Sequence, residues 1–198
     1  GFVSLENYGK FVCVNGHAMK TKKSKNTNFA FLVRINLTEP VEDTISYGEK
    51  IAELATQIGG GKPIVQRLKD LKRGRRSNWD RIKKSYVVPT LTEITPGDIS
   101  MALPSRIVEN IKEGLEKLAK VIPGVDSDST LIYAPEIKFY SLRLAVNNNM
   151  ESEIKNLFLC GDGAGVSRGI NGAAFTGLIT AKEINKREKE IKGKQDKL

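Results

Sequence analysis

Residues 156–177, Asn-Leu-Phe-Leu-Cys-Gly-Asp-Gly-Ala-Gly-Val-Ser-Arg-Gly-Ile-Asn-Gly-Ala-Ala-Phe-Thr-Gly, decide the fold class of this chain. The apolar run 157–160 has the length and bounding of a buried strand. It breaks at Gly161-Asp162 into a glycine-rich turn, and a helical pattern of small residues follows from about Asn171 or Gly172. Glycine-rich loops between strand and helix occur in most α/β proteins. The order here (apolar strand, Gly-Asp, Gly-x-Gly, small-residue helix) is longer and more particular than a lone glycine pattern.

Outward from that stretch, Ala174, Leu178, Ala181 and Ile184 carry the last helix, which becomes charged from Lys182. Upstream, 131–139 and 142–146 read as strands joined around Tyr140-Ser141, and Asn147-Asn148-Asn149 forms a turn. The middle, roughly 40–124, reads as mainly helical. Ile51, Ala52, Leu54, Ala55 and Ile58 predict a helix from about Tyr47 that Gly59-Gly60-Gly61 stops. Residues 64–71 read as a short second helix with Val65, Leu68 and Leu71 on one side, followed by a basic turn at 72–76. Pro104 heads an amphipathic helix whose stripe is Ile107, Ile111, Leu115, Leu118 and Ile122, ended by Pro123-Gly124. Near the start, 11–14 predicts a strand, Asn15-Gly16 a turn, 17–27 a polar loop, and the alternating 28–37 a second strand.

The expected fold class is α/β to α+β; the family resemblance set out below implies an inserted domain of mixed sheet and helix, then the C-terminal strand and helix of a Rossmann-like domain. The expected boundaries are 1–14 for the end of the cofactor-binding part or a linking strand, 15–140 for the inserted domain and 141–198 for the C-terminal element. At 198 residues and 21.9 kDa the chain can bury a real core. It begins at Gly1, which suggests a processed product, a tag remnant or a piece of something longer. No apolar run approaches the about 20 residues that span a bilayer, so a cytoplasmic protein without a membrane partner is expected. Cys13 and Cys160 are the only cysteines, too few for a disulfide scaffold. Cys13 and His17 share a C-x3-H spacing, but with a single histidine no metal site is expected. Cys160, at the end of an apolar run, reads as a small buried hydrophobe rather than a nucleophile.

The net charge of +9 is local. Residues 67–84 hold nine Lys/Arg against two Asp, and 20–25 add four lysines, so the remainder is slightly acidic. With Trp79 and Tyr86 nearby, 67–84 could contact phosphates and stack on bases. It carries no nucleic-acid fold signature, and charge runs are usually solvated faces, so nucleic acid is not the expected partner.

The turn at Gly161-Asp162 suits a flavin dinucleotide. A carboxylate at a strand end can accept hydrogen bonds from ribityl hydroxyls. Glycines let the backbone approach the cofactor, and a helix N-terminus can steady charge on a reduced ring. Asp162 could instead only cap its own loop or helix.

The stretch 156–170 resembles the C-terminal flavin motif of the bacterial FAD-dependent dehydrogenases, two-domain oxidoreductases with a large inserted domain. Similar to that family, too, are Asn15-Gly-His17, Lys25-Asn-Thr-Asn-Phe-Ala30, Val65-Gln-Arg-Leu68, Arg73-Gly-Arg-Arg-Ser77, Pro89-Thr90, Thr95-Pro-Gly-Asp98 and Glu136-Ile-Lys-Phe-Tyr140. The resemblance implies FAD as cofactor, a small-molecule substrate, and NAD(P)H as candidate electron donor. It implies that Asp162 contacts the ribityl chain, with Gly161, Gly163, Ala164 and Gly165 around it. By the same resemblance Arg168, Gly169, Ile170, Asn171, Gly172 and Ala173 lie near the ring. The family's adenosine-binding half opens with a strand and a Gly-x-Gly-x-x-Gly turn. No such element occurs here, so the expected partner is a missing N-terminal half of the same protein. By itself this chain is expected to be inactive and to hold FAD weakly or not at all. Catalytic residues stay unassigned, with Cys13, His17, Lys25 and Asn28 as reactive or polar groups near strand ends. The alternative is a basic nucleic-acid-binding or protein-interaction module without enzymatic activity.

Overall fold

A computed structural model of the protein describes residues 1–38, 43–137 and 143–195. Two compact units divide the chain, Gly1–Lys138 and Phe139–Leu198. The first is an α+β body of two small sheets and helices.

It begins with an antiparallel hairpin, β1 (Phe2–Asn7) and β2 (Val12–His17), running from Phe2 opposite His17 to Asn7 opposite Val12. The turn falls at Gly9, whose φ of +82° favours glycine, and the Asn7 side chain accepts from the Gly9 N–H at 2.8 Å. The turn expected at Asn15-Gly16 is therefore absent, because those residues pair within β2. Phe11, Val12, Cys13 and Val14 are buried.

Helix α1 (Thr44–Ile58) is capped by Asp43, which accepts from Ser46 N–H at 2.9 Å. It stops at the glycine triplet as expected, with Gly60 and Gly61 at φ of +62° and +85°. Thr56 of α1 receives the Val12 N–H at 3.0 Å and so fastens the helix to the hairpin.

The stretch 64–71 is not one helix. It forms a strand, β3 (Ile64–Arg67), then a single helical turn, α2 (Leu68–Lys72). β3 is the centre of a three-stranded sheet, parallel to β4 (Thr95–Pro96) and antiparallel to β5 (Leu131–Ala134). All four β3 residues are buried, so the period-2 signature of a half-exposed strand is missing. The polar pair Gln66-Arg67 further disguises it. Helix α3 (Trp79–Lys83) follows the basic turn, and α4 (Ser105–Leu118) follows Pro104. Val108, Ile111 and Leu115 of α4 pack with Ile64, Leu68, Leu71 and Ile99 in the main core. Ile122 lies beyond the helix end and is exposed.

Residues 28–37 form no strand. The burial alternates as a strand's would, with Phe31, Val33, Ile35 and Leu37 half-buried and Leu32, Arg34 and Asn36 exposed. Among the described residues, no strand supplies it with ladder hydrogen bonds. The segment lies on α4 instead, where the Phe31 ring occupies the space above Gly114. A Cβ there would sit 2.2 Å from Phe31 Cζ.

In the second unit, 157–160 is not a regular strand either; only an isolated bridge joins Phe158 to Glu151. Residues 143–146 of the expected 142–146 strand are irregular. The expected strand 131–139 ends at Ala134, and its last two residues, with Tyr140 to Leu142, lie outside the described residues. Helix α5 (Ile170–Gln195) begins one or two residues early. Its inward residues are Thr176 and Thr180, whereas Ala174, Leu178, Ala181 and Ile184 are exposed, the reverse of the expected stripe. Arg187 anchors α5, pairing through Nη1 and Nη2 with both Glu151 oxygens at 2.6 Å. Among the described residues, no helix is long and apolar enough to cross a membrane.

Candidate functional site

The Gly-Asp turn is a short 3-10 turn over Asp162–Ala164 flanked by two glycines with positive φ, Gly161 at +80° and Gly165 at +71°. An L side chain at either would be strained, so glycine is required for this path. Gly161 donates its N–H to Thr176 Oγ1 at 2.8 Å, and the Thr176 hydroxyl donates to the Ala173 carbonyl at 2.8 Å, which fastens the turn to α5. Asp162 is exposed and closes the following loop. Its Oδ1 accepts from Ser167 Oγ at 2.8 Å and its Oδ2 from the Gly169 N–H at 2.9 Å. That places the carboxylate at the entrance of α5, where the helix's positive end favours an anion.

The remaining expected residues gather around this loop. Ala164 is buried, and its carbonyl accepts from Leu144 N–H at 3.1 Å. Gly163 is exposed, and a Cβ added there or at Gly161 would meet nothing within 4 Å. Arg168, Gly169, Ile170 and Asn171 are exposed, and Gly172 and Ala173 are half-buried. Gly172 is tightly approached, since a Cβ there would lie 3.1 Å from Ser167 Cβ. Cys160 is exposed, not the buried hydrophobe expected, because no regular strand carries it inward.

A flavin's needs can be set against this geometry. The open backbone at Gly161 and Gly163 leaves room for a close ligand. Each carboxylate oxygen of Asp162 can accept more than one hydrogen bond. The first turn of α5 begins directly after the loop. These residues fit a flavin in kind, while Asp162 also does the loop-closing work that any α5 cap would do.

The first unit brings two nearby but separate sequence segments together. Asn15, Gly16, His17 and Ala18 at the end of β2, with Asn28, Phe29 and Ala30, line a cavity of about 270 Å³. Asn28 Nδ2 donates to the Phe2 carbonyl at 2.6 Å, and Asn15 Nδ2 donates to Glu6 Oε1 at 2.8 Å. Gly16 admits the Asn28 side chain, because a Cβ there would come 3.0 Å from Asn28 Nδ2. Of the four polar or reactive groups read from the sequence, His17 and Asn28 meet here. Cys13 is buried against Phe11 and Ala52, and Lys25 is exposed and lines neither this cavity nor its rim.

A buried polar network escaped the sequence reading. Gln66, Asp70 and Ser77 are fully buried. Gln66 Nε2 donates to the Arg75 carbonyl at 2.9 Å, and its Oε1 accepts from Ile99 N–H at 2.9 Å. Asp70 accepts from Arg75 Nε and from Ser77 Oγ, both at 2.8 Å, and Ser77 Oγ accepts the Arg67 N–H at 2.9 Å. Through Asp70 the network fixes one cation of the 67–84 run, Arg75, to the buried interior. The signal was present in the polar insertions of Val65-Gln-Arg-Leu68 and in Thr95-Pro-Gly-Asp98.

The first unit is thus an α+β body of two small sheets that bears an Asn/His-lined cavity and a basic loop. The chain belongs to the family described as FAD-dependent protein, C-terminal domain-like, whose model matches residues 3–138. Comparison with curated proteins finds no match. The matched residues coincide with the first compact unit and stop before the Gly-Asp turn.

Proposed function

We propose that this chain is the C-terminal portion of an FAD-dependent oxidoreductase of the dehydrogenase type. In this reading 15–140 is the substrate-side domain and 141–198 completes a Rossmann-like FAD-binding fold whose other half is a separate N-terminal part of the same protein. The observation that carries the reading is the family match over 3–138. When bound, FAD supplies the electron-accepting ring, and the protein supplies position and electrostatics.

The assigned roles follow from residue chemistry. Asp162 accepts hydrogen bonds from ribityl hydroxyls. Gly161, Gly163, Ala164 and Gly165 let the backbone come close. Arg168, Gly169, Ile170, Asn171, Gly172 and Ala173, at the mouth of α5, face the ring edge with amides and positive charge. NAD(P)H is the proposed electron donor, its phosphates drawn to the basic loop. The compartment proposed is the cytoplasm.

The test is flavin content, by absorbance and fluorescence, of the longer protein carrying this sequence, with and without Asp162→Ala. The variant is expected to lose flavin on dilution about tenfold more readily, one charge-assisted hydrogen-bonded contact's worth. Unchanged retention, with α5 intact by circular dichroism, would remove Asp162 from the role and leave it a loop cap.

A further inference from the structure

Residues 33–36 and the first two turns of α4 enclose a second cavity, of about 310 Å³, lined by Val33, Arg34, Ile35, Asn36, Arg106 and Asn110. We propose that this cavity binds a small organic anion through its carboxylate or phosphate group, which the two guanidinium groups and two carboxamides hold.

Four observations support the assignment. The first is composition: among the described residues, every polar side chain lining the cavity is a cation or an amide donor, and no acidic side chain lines it. Guanidinium forks match carboxylate and phosphate oxygens in pairs, and asparagine amides add further donors. The second is availability. Among the described residues, neither Arg34 nor Arg106 makes a hydrogen bond or ion pair, although lysines and arginines elsewhere on the chain do.

The third is electrostatic setting. Arg106 lies in the first turn of α4, which contains no acidic residue, and the Pro104 cap contributes no side-chain hydrogen bond. The positive end of the helix dipole is therefore not neutralised by its own first turn. Asn110 follows Arg106 by four residues and so shares its helix face.

The fourth is rigidity. Phe31 fills the gap above Gly114, and Phe31 and Val33 both pack on the main core, so the wall carrying Arg34 and Asn36 is fastened to α4 on its apolar side. The alternation that puts Phe31, Val33 and Ile35 inward puts Arg34 and Asn36 outward together. Val33 and Ile35 give the cavity an apolar flank for a carbon skeleton. At about 30 Å³ per water-sized group, the volume holds on the order of ten heavy atoms, more than a bare inorganic ion needs. The net charge of +9 would draw such an anion towards the protein.

The site lies wholly in the first unit and does not depend on flavin binding. Titration of the isotope-labelled 198-residue chain with succinate and with phenyl phosphate, read by amide chemical shifts, tests it. Succinamide serves as the neutral analogue, and sodium chloride at matched ionic strength as the charge control. Saturable shifts confined to 33–36 and 104–110 are expected, with a dissociation constant below about 1 mM. Arg34→Gln with Arg106→Gln should weaken binding at least about tenfold, and Arg76→Gln, which does not line the cavity, should not. Arg34→Lys with Arg106→Lys, which keeps the charge but loses the fork, should fall between and guards against misfolding of the glutamine variant. The proposal is overturned if neither anion saturates, if chloride reproduces the shifts, or if the glutamine pair binds as the parent does.

Discussion

Asp70→Ala is expected to destabilise the first unit by about 3 kcal/mol. The Asp70 carboxylate is fully buried and accepts two hydrogen bonds, from Arg75 Nε and Ser77 Oγ. A bond to a charged group contributes about 1.5–3 kcal/mol. The Ser77 bond lies in the dry interior and counts in full, because its hydroxyl would lose its acceptor with no water to replace it. The Arg75 side chain is 39% exposed, so water can compensate its loss and its share falls to the low end. Removing the charge also removes the penalty of burying it, which brings the sum of the two shares, about 4.5 kcal/mol, down to about 3 kcal/mol. Asp70→Asn keeps the shape and one acceptor, so it should cost about half as much. The reporter is built in: Trp79 is the sole tryptophan and sits in α3, two residues beyond Ser77. Urea unfolding followed by Trp79 fluorescence should show a lower midpoint with unchanged slope, equivalent to a fall of about 6–12 °C in Tm. A double-mutant cycle with Ser77→Ala should give a coupling of at least about 1 kcal/mol. A shift below about 0.5 kcal/mol for Asp70→Ala, the size of an ordinary surface change, would refute the view that this network pins the basic loop.

Two further outcomes follow from the geometry. Arg187 and the Asn156 N–H hold the Glu151 carboxyl down at about 2, from an ordinary 4.5. A depressed acid contributes stability above its unfolded value and loses it as pH falls through the folded one, so protection of α5 amides from hydrogen exchange should decline between pH 4.5 and about 2. Glu151→Gln should be weaker at neutral pH and flat across that window, and a parent protein equally flat would contradict the ion pair's role. Gly59→Ala should destabilise by about 1–3 kcal/mol in the Trp79 urea assay, since overpacking forces backbone to move. Its Cβ would fall 1.9 Å from the Lys62 carbonyl oxygen, and Gly59's own carbonyl accepts from Thr95 Oγ1 at 2.6 Å. A neutral result would refute the steric constraint at the turn after α1.

Where one face of an element carries the whole signal, the sequence was legible. The spacing of α1 and α4 and the stop at Gly59-Gly60-Gly61 were read directly, because amphipathic helices advertise both their inner face and their ends. β3 was misread because burial on both faces erases alternation and because Gln66 is buried by hydrogen bonding, not by hydrophobicity. The segment 28–37 was misread for the opposite reason. It alternates as a strand does, but strand identity needs a partner's backbone, and the surface it meets is that of α4. In α5 the small and apolar residues taken for an inner stripe face outward, and two threonines face in.

The candidate site divides along the same line. The segments Asn15-Gly-His17 and Asn26-Thr-Asn-Phe-Ala30 stood apart in sequence, and only folding shows that His17 and Asn28 share one cavity and that Gly16 makes room for the second of them. The arginine cavity was invisible, since Arg34 and Arg106 lie 72 positions apart and belong to no motif. The family match rests on 3–138, and the Gly-Asp turn begins at 161. The two grounds for a flavoprotein therefore share no residues. Loss of flavin on changing Asp162 would add a second, independent support to the first. Its persistence would return the turn to its visible work of closing the 162–169 loop at the head of α5, and would leave the matched domain's membership untouched.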